Sequence, residues 1–142
     1  MNVTSLRVQS IRNHHDFSCA IAPGVTVITG ANGHGKTSLV EAMYIALQGT
    51  SFRGTDSEVL TADAEWWRID MGTDKGERTV RFEPSKPSRK KQFEIDGKTM
   101  ARLSPAAKYP VVLFEPDDLR LLHGSPARRR DFIDRFIAQI DP

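Results

Sequence analysis

One run constrains what this chain can fold into more than any other: Gly30-Ala31-Asn32-Gly33-His34-Gly35-Lys36-Thr37 fits G-x-x-x-x-G-K-[ST] at every fixed position. Its chemistry dictates its residues. Glycines let the backbone curl so that successive N–H groups face phosphate oxygens, and the helix that follows adds its own unpaired N–H groups and dipole. Gly30, Asn32, Gly33, His34 and Gly35 form the cradle in this reading. Lys36 supplies a point charge to the outer phosphates, the Thr37 hydroxyl is the Mg²⁺ ligand, and Ser38, one residue further along the same helix end, can reach the α-phosphate. The bland alternative is a glycine-rich turn that happens to precede a helix. Context argues against it, because residues 25–29 are rich in β-branched side chains and residues 36–47 are apolar at helical spacing. The sequence therefore predicts a site for a nucleoside triphosphate with Mg²⁺.

The rest of the chain reads as α/β. Residues 4–11 alternate, with Leu6, Val8 and Ser10 on one face, and residues 16–22 place Phe17, Cys19 and Ile21 at period two. After the Pro23-Gly24 turn signal, residues 25–29 are expected to be a buried strand. In 36–47 the apolar residues leave little polar surface, so that helix is expected to be covered on several sides, with Gly49 at its C-terminal cap. Residues 65–72, 77–83 and 91–95 read as short strands of a small antiparallel sheet, with Trp66 or Trp67 packed on one face and Asp96-Gly97 as a tight turn. Residues 111–114 form an apolar strand in this reading, 117–122 a short helix, and Ser125-Pro126 the cap and first residue of a final helix. The expected organisation is 1–60 for the phosphate-loop part, 61–109 for a β-rich insert and 110–142 for the last strand and helices.

Composition narrows the class without naming a partner. The 142 residues carry 20 Lys+Arg against 18 Asp+Glu, a net charge of +2, too small to indicate nucleic acid by itself. The single cysteine, Cys19, excludes an internal disulfide framework and suits a reducing compartment. No apolar run approaches the ~20 residues of a bilayer crossing, and the first residues hold no signal-like apolar region, so a cytoplasmic protein without a membrane role is expected. No Cys/His cluster has zinc spacing, and His123 reads as a surface residue.

The residues around the loop carry a resemblance. Leu6-Arg7-Val8-Gln9-Ser10-Ile11-Arg12-Asn13, the run from Asn32 to Ala42, and Ser51-Phe52-Arg53 resemble the RecF family of SMC/ABC-type ATPases. So do Val111-Val112-Leu113-Phe114-Glu115-Pro116-Asp117-Asp118-Leu119 and the run from Gly124 to Asp134. The resemblance implies lobe I of an ABC-type head: a mixed sheet around the phosphate-loop helix, a small antiparallel sheet and a C-terminal helix, forming an incomplete head. It implies a recombination mediator in DNA repair and replication that dimerises on ATP, binds single-strand/double-strand DNA junctions, and works with RecO, RecR and RecA in gap repair and the SOS response. A weak ATPase is then expected of the complete dimeric head only. Neither a signature run nor an acidic Asp-Glu pair occurs in this chain, and it stops within an amphipathic helix at Ile140-Asp141-Pro142, as one lobe of a larger head would. Taken alone, residues 111–114 followed by Glu115 read as a degenerate Walker B; the family order instead places them as a Q-loop strand, which makes Glu115 and Asp117 candidates for sensing Mg²⁺ or the attacking water. Arg12 and Asn13 become candidates for reaching the nucleotide, against the plainer reading of an exposed turn. His14 and His15 stand where the family often has an aromatic, and Ser38 where it often has Asn.

Two basic clusters are the places to seek a polyanion. Lys86, Arg89, Lys90 and Lys91 put four positive charges in residues 85–91, as a DNA-tracking loop would, although such runs usually form a solvated hairpin tip. Arg128, Arg129 and Arg130 sit in the first turns of the last helix, where the dipole disfavours cations unless an outside anion, or Asp131 and Asp134, offsets them. Arg53 is a candidate for phosphate or DNA, with Phe52 as a loop anchor. The competing functions are a stand-alone phosphate-loop NTPase or kinase acting on a small molecule, and an interaction module that does not hydrolyse nucleotide.

Overall fold

The computed structural model describes residues 1–119 and 125–140, in two compact units, Met1–Leu103 and Ser104–Pro142. The first unit is built on a six-stranded antiparallel sheet. Its strands are β1 (Val3–Ile11), β2 (His14–Ala20), β3 (Trp67–Thr73), β4 (Gly76–Phe82), β5 (Lys91–Ile95) and β6 (Lys98–Met100), in the spatial order β2-β1-β3-β4-β5-β6. The expected small antiparallel sheet is thus continuous with the opening hairpin, because β1 pairs with β3 as well as with β2. The Asp96-Gly97 turn joins β5 to β6 with φ of 48° and 78°, the two positive values a type I′ hairpin turn needs.

Helix α1 (Lys36–Gln48) lies on one face of the sheet, against β1, β3 and β4. Leu39, Ala42, Ile45 and Ala46 are buried there with Leu6, Val8, Ile69, Met71, Val80 and Phe93. Trp67 is the tryptophan taken into the core, fully buried with its ring stacked on Phe82 at 5.7 Å. Its indole N–H donates to the Asp56 carbonyl at 2.8 Å, which satisfies the one polar atom that burial would otherwise strand. Asp56 begins a one-turn helix, α2 (Asp56–Val59), which the sequence reading did not anticipate. Its signal was legible: Thr55 and Glu58 form a reciprocal capping box. In β1, Ser10 takes a left-handed φ of 54°, which breaks the alternation, so Ile11 rather than Ser10 is the last core residue of the strand.

Two expected strands are absent. Residues 25–29 form no strand, and Val25 and Val27 are 92% and 76% exposed. Residues 111–114, in the second unit, are likewise irregular, with Val112 and Phe114 at 73% and 68%. The physical reason is common to both. A strand exists through a ladder of hydrogen bonds to a neighbouring strand, and among the described residues neither segment belongs to the sheet, whatever its β propensity. The second unit also contains a 3₁₀ turn at Pro116–Leu119 and helix α3 (Pro126–Ile140), which starts at the expected proline. The expected helix over 117–122 is this shorter turn as far as residue 119; residues 120–122 and His123 lie outside the described residues. No helix among the described residues is long and apolar enough to cross a membrane.

Candidate functional site

The glycine-rich loop runs into the N-terminus of α1 and is sewn to the β1–β2 turn. Asn13 donates its side-chain N–H to the Gly33 carbonyl at 2.7 Å, and His14 Nε2 lies 3.1 Å from the Gly35 carbonyl oxygen. Gly35 caps the helix in the left-handed region at φ 80°. A Cβ there would stand 2.3 Å from both Asn13 Oδ1 and His14 Nε2, so conformation and space both require glycine. No side chain caps this helix end. The Ser38 N–H turns back to the Gly35 carbonyl at 2.9 Å, and the lack of a side-chain cap leaves the start of the helix open to a ligand, as an anion site at a helix N-terminus requires.

A cleft of about 550 Å³ opens at this end. Asn32, Gly33, Gly35, Lys36, Thr37 and Ser38 line it from the loop and helix, Arg12 and Asn13 from the turn after β1, and Arg53 from the segment after α1. Gly30 and His34 belong to the loop without lining the cleft. Lys36 folds back to donate to the Gly30 and Ala31 carbonyls, both at 2.8 Å. Those carbonyls hold the ammonium beside the cleft, where an arriving phosphate can exchange for them. Thr37 is exposed, and Ser38 is buried.

The centre of the site is a residue the sequence reading gave no role. Glu41, on α1, is completely buried, and its carboxylate receives Arg12 bidentately, Nε to Oε2 at 3.1 Å and a terminal nitrogen to Oε1 at 2.8 Å. Ser51 donates to the same carboxylate at 2.5 Å. Burial alone would push the Glu41 carboxyl up, but the hydrogen bonds from Arg12 and Ser51 and the nearby charges of Arg12 and Arg53 hold it below the usual carboxylate range. The Glu41 pairing also raises the Arg12 pKa. The available signal was the one acid in an otherwise apolar helix, since a buried carboxylate needs a cation.

The basic clusters look different in three dimensions. Lys91 is drawn inward: its ammonium donates to the Gly49 carbonyl at 2.8 Å, pairs with Asp56, and lies over the rings of Trp67 and Phe93. Burial lowers its pKa, with Asp56 partly restoring it. It is therefore not a free charge of the loop. Lys86 pairs with Glu83 at 3.2 Å, which leaves Arg89 and Lys90 as the exposed cations there. In the second unit Arg129 and Arg130 are exposed, and the side chains of Arg128 and Asp117 lie outside what is described. Glu115 donates its backbone N–H to Asp118 at 2.8 Å.

Residues 5–115 match the AAA domain family. RecF, the DNA replication and repair protein, of Heliobacterium modesticaldum is 32% identical over 145 residues, covering 100% of this chain and 39% of its own length. RecF of Carboxydothermus hydrogenoformans is 34% identical, covering 98% and 40%. The chain thus spans about two-fifths of the curated relatives it matches. Among solved structures, the recombination mediator RecF of the RecFOR pathway with ATP superposes at a TM-score of 0.76 and 26% identity, over 99% of this chain and 39% of that one. An SMC ATPase chain superposes at 0.70 with 20% identity over 99% of this chain and 100% of that one, a likeness of fold.

Proposed function

The chain belongs to the AAA domain family, with RecF relatives along its whole length, and from that premise we propose that it is the ATP-binding lobe of a RecF-type DNA replication and repair ATPase. One observation carries the reading: a phosphate loop, pinned by Asn13 and His14, leads into an uncapped helix N-terminus beside Lys36, Thr37 and a cleft of about 550 Å³. Loop and helix N–H groups receive the phosphates, and Lys36 leaves the Gly30 and Ala31 carbonyls to join them. Thr37 is the protein ligand for Mg²⁺. Its exposed hydroxyl fits a cation that keeps most of its shell as water and phosphate, since the described residues hold no cluster of three or more acidic, His or Cys groups.

In this reading the lobe works within a complete head that dimerises on ATP, with DNA, RecO, RecR and RecA as its partners in the cytoplasm. Arg89, Lys90, Arg129 and Arg130 are the exposed cations offered to DNA. Calorimetric titration with ATP tests the site. Wild type should bind, and Lys36→Ala should lose about a hundredfold in affinity, as expected when a charge-assisted phosphate contact is removed. Unchanged affinity in the variant overturns the assignment. Rapid phosphate transfer to a small molecule by this lobe alone would instead favour a stand-alone kinase.

A further inference from the structure

Glu41 is an odd residue for the phosphate-loop helix. It is fully buried, yet it does not line the cleft. What it holds does. Arg12, which it grips bidentately, lines the cleft, and so does Arg53. Arg53 is exposed and reaches Glu41 through Ser51. The Ser51 hydroxyl donates to Glu41 and accepts the backbone N–H groups of Arg53 at 2.9 Å and Gly54 at 3.2 Å.

We propose that Glu41 is a positioning residue for the phosphate cleft: through Ser51 it fixes the turn that presents Arg53 to bound phosphate. The geometry around that turn makes the relay necessary. Phe52 packs edge-on against Tyr44 at 5.4 Å, and the capping box of Thr55 and Glu58 closes the far side. Lys91 clamps both flanks, at the Gly49 carbonyl and at Asp56. Between these ties the Ser51 hydroxyl holds the backbone N–H groups of Arg53 and Gly54, the stretch that carries the Arg53 side chain. That hydroxyl is oriented because a buried carboxylate accepts its proton and leaves the oxygen lone pairs for the two N–H groups. Arg12 neutralises the carboxylate, so Glu41 can sit near a phosphate site without repelling the ligand. This inference rests on the nucleotide reading above.

The test uses the full chain, with ATP affinity by calorimetry and thermal stability measured on Ser51→Ala, Ser51→Thr, Glu41→Gln, Arg53→Ala and the double variant Ser51→Ala/Arg53→Ala. Arg53→Ala should weaken ATP binding roughly tenfold, and Ser51→Ala should weaken it comparably. Ser51→Thr, which keeps the hydroxyl, should bind as wild type does, and Glu41→Gln, whose amide oxygen still accepts from Ser51 while losing the charge that pairs with Arg12, should weaken binding no more than Ser51→Ala. The double variant should be no weaker than Arg53→Ala alone, because both changes break one relay. Additive losses, or Ser51→Ala binding like wild type, overturn the relay. If Arg53→Ala binds normally while Lys36→Ala does not, the inference fails and the nucleotide reading stands. A wild-type chain that does not bind ATP overturns both. Should Glu41→Gln fail to fold, the serine and arginine variants still decide the question.

Discussion

The two ends of helix α1 are finished in opposite ways. At the C-terminal end, Gly49 closes the helix at φ 87°, Arg78 donates to the Ala46 carbonyl at 3.2 Å, and Lys91 donates to the Gly49 carbonyl at 2.8 Å. Both cations come from strands of the sheet, since the last turn of the helix contains no basic residue. They complement the negative end of the dipole and satisfy carbonyls that burial would leave stranded. At the N-terminal end no side chain caps the helix, and Lys36 is folded onto loop carbonyls. One end is completed by the protein itself; the other has no side-chain cap, and in the proposed reading an anion completes it. Stability and binding should therefore separate along a single helix.

The largest effect that tests this separation is at the open end. Lys36→Ala should lose about a hundredfold in ATP affinity while the urea midpoint barely moves. A large stability loss would show that the lysine is structural and would break the contrast. At the closed end, Lys91→Met keeps the packing on Trp67 and Phe93 but strands Asp56 and the Gly49 carbonyl, and should cost roughly 2 kcal/mol in chemical denaturation. Because Lys91 also ties down the flanks of the Arg53 turn, ATP affinity should fall by no more than the roughly tenfold expected of Ser51→Ala; a loss as large as that of Lys36→Ala would mean that the two ends are coupled.

Between the ends, Glu41 predicts a pH dependence. Its folded pKa lies below the ordinary 4.5, so below that pH the unfolded chain takes up the proton more readily. The stability it contributes is therefore complete above 4.5 and is lost as the pH falls through the folded value, and Glu41→Gln should flatten this acid limb in denaturation curves collected from pH 7 downwards. An unchanged limb would show that other carboxylates govern it. The smallest effect separates the basic loop from the closed end: neutralising Arg89 and Lys90 should reduce the salt slope of DNA binding by about 2 without altering stability. Neutralising Lys91 should leave that slope alone.

Much of this was legible in the residues. The glycine-rich loop was visible because its motif tolerates few alternatives at fixed positions, and α1 followed from apolar periodicity, a lysine start and a glycine stop. Strands β3 to β5 appeared within about two residues of their expected limits, and the Asp96-Gly97 turn where its dipeptide stands. Residues 25–29 and 111–114 misled for the opposite reason: β propensity describes a side chain's fit to a sheet and cannot supply the neighbouring strand.

By itself, then, the sequence determined the local features, those encoded within a few residues: the glycine loop, the helix behind it, the lysine and threonine that follow, and the turns. Only the tertiary structure decided which distant groups meet. It drew Lys91 out of a basic run to close a helix 42 residues away, set Glu41 between Arg12 and Ser51, and merged the first hairpin with the later strands in one sheet. The physical reason is burial. A charged group taken out of water must find a partner wherever the fold provides one, and that partner has no fixed spacing in the chain.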